Sequence, residues 1–174
     1  VVHKGKTIFV GDTSVHEYPN SEQLAEIAIS AARVVRLFGF DPKVAFVSHS
    51  TFGQPLTSRT KHIKNAVEIL KEKNVDFEFD GDMQPDVALD EEYQSLYPFS
   101  KIVGNANILI MPGQHSAAIS YKMMKTLGDT KVIGPLLIGL GLPIEIAPLR
   151  SSTSEILNLA SIAAYSSDVI DYKK

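Results

Sequence analysis

Apolar positions along this chain alternate between two patterns: short continuous runs that suit buried strands, and stripes at helical spacing. Residues 7–10 are β-branched and aromatic and are stopped by Gly11 and Asp12, which predicts a short strand and then a turn-rich loop to Pro19. Asn20 or Ser21 can cap a helix, with Gln23 placed to reach back. Leu24, Ile27, Ala28, Ala31, Val35 and Phe38 then follow at helical spacing until Gly39. Ala25, Ile29 and Ala32 widen that stripe enough to suggest burial on two sides. Val44, Ala45, Phe46 and Val47 do not alternate, as expected of a central parallel strand covered on both faces.

A second amphipathic helix carries Ile63, Ala66, Val67 and Leu70 inward and Lys64, Glu68, Lys71 and Glu72 outward, closing at Asn74. Phe77-Glu78-Phe79 reads as a strand before an Asp80-Gly81-Asp82 turn, followed by an irregular acidic segment. Residues 107–111 read as a buried strand ended by Pro112, and residues 119–127 as a helix stopped at Gly128. Val132-Ile133 and Ile144-Glu145-Ile146 read as strands around a glycine-rich loop. Ser152 with Glu155 three residues on signals a last helix carrying Ile156, Leu159, Ala160 and Ala163. The alternation predicts an α/β fold, a mostly parallel sheet layered between helices, in one compact unit without internal repeats.

Composition narrows the function classes. With 174 residues, 44% hydrophobic and 21% charged, the chain has ordinary globular usage, against disorder or a coiled coil. A net charge of -3 and a pI near 5.9 give no footprint for nucleic acid. The absence of cysteine excludes disulfides, thiolate metal sites and a cysteine nucleophile. The longest apolar stretch, residues 132–146, is broken by Gly134, Pro135, Gly139, Gly141 and Pro143, so no membrane span is expected and the chain reads as cytoplasmic. It begins at Val1 with no signal pattern, and a fragment of a longer protein is expected.

Candidate chemistry is concentrated in Ser48-His49-Ser50-Thr51-Phe52-Gly53, where the buried strand empties into a loop. Ligands of parallel sheets bind at such strand ends. Hydroxyls of Ser48, Ser50 and Thr51 can hold a phosphate or carbonyl oxygen, with Gly53 permitting close approach; a plain hydroxyl-rich turn is the competing account. Downstream Arg59, Lys61, His62 and Lys64 offer a phosphate tail positive charge, or simply a solvated helix start. Asp80, Asp82, Asp86 and Asp90 match no calcium loop, and the five histidines have no zinc spacing, so no metal is expected. Gly139-Leu140-Gly141 is followed by Pro143 and fails as a dinucleotide loop; phosphate-binding P-loop and nucleophile-elbow motifs are absent.

Several segments in order carry a resemblance. These are Val44-Ala45-Phe46-Val47 with the loop to Gly53, Asp80-Gly81-Asp82-Met83-Gln84 with Asp86, Tyr97-Pro98-Phe99-Ser100, and Ala106-Asn107-Ile108-Leu109-Ile110-Met111-Pro112. They continue through Ala118-Ile119-Ser120-Tyr121-Lys122 and Ile133-Gly134-Pro135 to Pro143. Across residues 7–165 the chain resembles the phosphate acetyl/butyryltransferase family, C-terminal half, and Tyr97-Pro98-Phe99-Ser100 and Ile146-Ala147-Pro148-Leu149 look like its malic-enzyme-linked branch.

The resemblance implies a two-part fold related to isocitrate and isopropylmalate dehydrogenases, with acyl-CoA in the cleft between the parts, and dimerisation through this region. It also implies a parent NADP-dependent malic enzyme, converting malate to pyruvate with NADP and Mg or Mn bound in another domain, and acetyl-CoA as an effector sensed here. Active transferases have a Ser-Arg-Gly turn after the position of Pro143 and then an Asp, where this chain has Pro148-Leu149-Arg150 and Glu155. The transfer needs a base, a cation and an oxyanion donor, and losing one such donor costs roughly 10²- to 10³-fold in rate. Arg150 is a candidate for phosphate and Glu155 for the base; a surface arginine and a capping residue are the other readings. The reading that follows is a regulatory, oligomer-forming domain without turnover. An active phosphate acetyl/butyryltransferase and a pure assembly module are the alternatives.

Overall fold

The computed structural model describes residues 1–169, and for Arg59, Asp168 and Val169 the backbone alone. The chain starts with β1 (Val2–His3), β2 (Lys6–Thr7) and β3 (Phe9–Gly11), and continues through α1 (Ser21–Leu37), β4 (Lys43–Val47), α2 (Ser58–Glu72) and β5 (Glu78–Met83). After two short helices, α3 (Pro85–Leu89) and α4 (Glu91–Ser95), come β6 (Ile108–Ile110), α5 (Gln114–Leu127), β7 (Thr130–Lys131) and α6 (Thr153–Val169).

The central sheet has the order β3-β6-β4-β5 and is parallel throughout. Each strand's residues divide between two cores. Val44, Phe46, Ile108 and Ile110 face α1 and α2, whose Leu24, Ala28, Val35, Ala66 and Leu70 are buried against them. Ala45, Val47, Leu109 and Met111 face the opposite way, toward Val87, Ala88 and Ala117 of α3 and α5. Strands apolar on both faces are what a sheet covered by helices on both sides requires, and the predicted three-layer α/β architecture is the observed one.

The predicted cap of α1 is present: the Asn20 side chain accepts from the Gln23 amide at 2.8 Å and the Gln23 side chain accepts from the Asn20 amide at 2.9 Å. Three expectations are corrected. Asp80-Gly81-Asp82 is no turn but part of β5, paired with β4 through a register shift between Phe46 and Val47. The segment after it holds α3 and α4 rather than only irregular chain. Val132-Ile133 and Ile144-Glu145-Ile146 form no strands; the nearby strand is β7, antiparallel to β1, because the apolar run itself finds no ladder partner. No helix among the described residues is long and apolar enough to cross a membrane.

Candidate functional site

β6 lies between β3 and β4, yet β3 and β4 lead into helices on one face of the sheet while β6 leads into α5 on the other. Loops that leave in opposite directions open a crevice at the strand C-termini, the usual binding position in such sheets. A cavity of about 690 Å³ occupies that crevice. Ser48 and His49 line it from the end of β4, Met111, Pro112 and Gly113 from the end of β6, and residues 17–20 from the loop entering α1. His62 of α2 and His115 and Ser116 of α5 complete the lining.

α5 opens on Gly113 without a side-chain cap, and its first turn carries no acidic residue. The Gln114 amide at the start of this 14-residue helix donates to the Glu17 carbonyl at 3.2 Å, and no first-turn carboxylate offsets the positive end of the helix. Three imidazoles beside it add neutral or positive hydrogen-bonding groups, so the local chemistry suits an anionic oxygen. Glu17, exposed, is the acidic member of the lining.

The hydroxyl-rich loop divides into two parts. Ser50 is fully buried and its hydroxyl donates to the Asp82 carboxylate, itself buried. The other Asp82 oxygen accepts from the Gly53 amide at 3.0 Å, and the Phe52 amide donates to the Asp82 carbonyl. Thr51 Oγ1 accepts from the Gln84 amide at 3.2 Å, and Gln84 Nε2 donates to the His49 carbonyl at 3.2 Å. Ser50, Thr51 and Gly53 thus hold the loop to β5, and Ser48 and His49 are the members at the cavity. Gly53 has φ 81, a backbone conformation that favours glycine, and a Cβ there would meet only Leu56 at an ordinary 3.8 Å. Asp82 as the anchor was hidden from sequence reasoning, because a carboxylate in Asp-Gly-Asp reads as turn chemistry.

Of the basic run, His62 reaches the cavity, Lys61 and Lys64 are exposed on α2, and the Arg59 side chain lies outside the described residues. Asp80 accepts from the amides of Gly81 at 2.9 Å and Lys101 at 2.8 Å, a structural use of a predicted acidic cluster residue. Among the described residues no three His, Cys, Asp or Glu side chains converge to hold a metal ion.

Arg150 is exposed in the turn before α6, forms no ion pair among the described residues, and is absent from the cavity lining. Glu155 is engaged on three sides. Its carboxylate accepts from Lys125 Nζ at 2.7 Å, from the Ser152 amide at 2.7 Å and from the Ser152 hydroxyl at 2.9 Å, while its own amide donates to Ser152 Oγ at 3.3 Å. Lys125, and then the Ser152 bonds, hold its pKa down to about 2. The capping geometry is complete, and the carboxylate is a feeble base.

Residues 1–164 match the family described as phosphate acetyl/butaryl transferase. The chain belongs to that family. The acyltransferase-type fold agrees with solved structures: a EutD phosphotransacetylase from Staphylococcus aureus superposes with TM-score 0.87 at 29% identity, over 95% of this chain and 52% of that one. A phosphotransacetylase from Streptococcus pyogenes gives 0.86 at 34% identity, over 91% and 49%. In sequence, the NADP-dependent malic enzyme of Rhizobium meliloti (strain 1021) is 48% identical over 162 residues, 93% of this chain and 21% of the relative. The phosphate acetyltransferase of Clostridium acetobutylicum is 37% identical over 157 residues, 89% and 47%. This family member therefore spans about a fifth of the length of its malic-enzyme relatives and about half that of this transferase.

Proposed function

We propose that this chain is the phosphotransacetylase-like region of an NADP-dependent malic enzyme, where it senses acyl-CoA and supports homo-oligomer assembly without transferring acyl groups. The 48% identity to the Rhizobium malic enzyme, against 37% to the Clostridium transferase, supports the parentage. The state of Glu155 carries the rest of the reading. A group with a pKa near 2 has little affinity for a thiol proton, and Lys125 and Ser152 already occupy its oxygens. Pro148 has no N–H to offer an oxyanion and Leu149 has no charge.

Binding survives the loss of that chemistry. The cavity at the ends of β4 and β6 has the volume of a small-ligand site, and its imidazoles, Ser48 and Ser116 hydroxyls and the positive end of α5 suit the phosphates of acetyl-CoA. NADP and Mg or Mn, which malate oxidation and decarboxylation use, would belong to the parent's other residues. Here Gly139-Leu140-Gly141 lies in irregular chain rather than between strand and helix, and no described acidic set converges.

The test uses the full-length chain. Acetyl-CoA formation from acetyl phosphate and CoA is expected to stay at background, while acetyl-CoA binds by calorimetry and changes the rate of malate oxidation. Robust transferase turnover would overturn the silent-site reading, and absence of acetyl-CoA binding would leave assembly as the only role.

A further inference from the structure

Among the described residues the strands form two separate sheets, β2-β1-β7 and β3-β6-β4-β5. A second cavity, of about 460 Å³, borders both of them. Phe9 and Val10 of β3, Ile27 and Ala31 of α1, and Ile133 and Leu136 of the irregular segment after β7 line it with apolar groups, and Val1 stands at its edge.

Hydrogen bonds set the register of what would fill this space. β1 and β2 form a hairpin, with Val2 opposite Thr7 and His3 opposite Lys6. The ladder runs one pair further: the Val1 ammonium donates to the Ile8 carbonyl at 2.9 Å, and the Ile8 amide donates to the Val1 carbonyl at 2.8 Å. The next residue turns its bonds the other way, and the Phe9 amide donates to the Asn107 carbonyl at 2.8 Å, beside β6. The Gly11 carbonyl likewise accepts from Met111. Backbone groups alternate in direction along a strand, so the Val10 amide and carbonyl point away from β6, to the side of the cavity. Ile8 and Val10 thus present the same edge, and among the described residues Ile8 alone has an antiparallel neighbour there.

The opposite wall has a matching edge. β1 pairs with β7, with Val2 opposite Lys131. Continuing that register sets Val132 beside Val1 and Ile133 one step beyond it. Both are β-branched and suited to a strand, yet they join no ladder. Two unpaired edges therefore flank one apolar space, and β1, followed backwards, is aimed between them.

We propose that the segment directly preceding Val1 in the longer parent enters this cavity as a backward extension of β1, an antiparallel strand between β3 and residues 132–134 that joins the two sheets into one. It rests on the reading that this chain, a fifth of the length of its malic-enzyme relatives, is part of a longer protein, and not on acyl-CoA binding. The first residue before Val1 lies opposite Phe9, exchanges its bonds with Ile133, and shares the face of Phe9, toward Ile27 and Ala31. The second exchanges its bonds with Val10 and shares the face of Val10. Enclosed on both faces and bonded on both edges, these two residues are apolar and neither is proline.

The residues encoded before Val1 give the first test. A charged residue or proline at either position overturns the strand, whichever enzyme the upstream sequence belongs to, so this failure is distinct from failure of the parentage. In the full-length parent, cysteine at the second position before Val1 with Val10→Cys should form an intramolecular disulfide on mild oxidation. Such opposed pairs have Cα atoms about 5.5 Å apart, within disulfide reach. Cysteine at the first position before Val1 with the same Val10→Cys should not, because its side chain leaves the other face. Peptide mapping reads both, and thermal melting shows that each variant is folded. Hydrogen exchange needs no variant: in the unsubstituted parent the Val10 and Ile133 amides should exchange at least about a hundredfold more slowly than that of the exposed Leu140. No disulfide in the folded first variant, equal disulfide in both, a disulfide between two subunits, or Val10 and Ile133 exchanging as fast as Leu140 would each overturn the proposal.

Discussion

A buried carboxylate with only hydrogen-bond donors around it organises the loop after β4. Asp82 is 2% exposed and receives the Ser50 hydroxyl and the Gly53 amide, and among the described residues it pairs with no lysine or arginine. Gly81 beside it has φ 153, and a Cβ there would lie 2.7 Å from the Phe46 Cβ, so the bulged pairing of β5 with β4 needs glycine as well as aspartate. Ser50→Ala removes one donor from a carboxylate that water cannot reach. Urea unfolding should show a loss of about 1–3 kcal/mol, the penalty of leaving a buried polar group short of a partner. Loop disorder should follow, seen as faster amide exchange at Phe52 and Gly53. A variant as stable as the native protein would mean that Ser50 faces solvent and is free for ligand. Ser48→Ala, at the cavity edge, should leave stability within about 0.5 kcal/mol.

At the scale of elements, α6 depends on its first turn. Glu155 has its pKa lowered from 4.5 to about 2, so the sign is that of a carboxylate stabilising the folded state when ionised. That contribution is complete above about pH 4.5 and disappears as pH falls toward 2. Glu155→Gln keeps a side chain able to cap Ser152 but loses the charge facing Lys125. The variant should melt below the native protein at pH 7, and the two melting temperatures should converge near pH 2; a constant gap would sink the ionic account. The cap was legible because Ser152 and Glu155 are three apart, a local spacing, as was the Asn20–Gln23 cap of α1. The strands at residues 43–47 and 108–110 were legible because burial on both faces leaves no polar position. What escaped was non-local. Asp82 and Ser50 are 32 residues apart and neither predicts the other, and Val132-Ile133 has strand propensity but no neighbouring strand to pair with. The loop after β4 borders the cavity through Ser48 and His49, but no periodicity told which of its hydroxyls point inward.

At the scale of the whole molecule, exposed apolar side chains recur through the last third of the described residues. Ile119, Met123 and Leu127 of α5, Leu142 and Leu149 of the following segment, and Ile156 and Leu157 of α6 are all exposed. Leu149 is fully exposed and Leu127 is 80% exposed, values that scattered surface leucines reach singly but seldom in one stretch of sequence. Large apolar side chains in water gain roughly 1.5–3 kcal/mol each when covered, so several together are enough to drive association once the entropy of joining is met. A stable interface buries about 1,200–2,000 Å² in total. Under the parentage proposed above, the cover is either another stretch of the same chain or a second copy. The assembly role proposed above selects the second copy, and an interface built by a twofold axis would place the same residues on both sides. Sedimentation of the full-length chain at micromolar concentration is then expected to give a dimer or larger species. Leu142→Lys with Leu149→Lys, on a segment that contributes nothing to either core, should shift it toward monomer while the melting of each subunit's sheet is retained. If the double variant sediments as the native protein does, these residues are covered from within the chain, and the surface belongs to the fold rather than to the assembly.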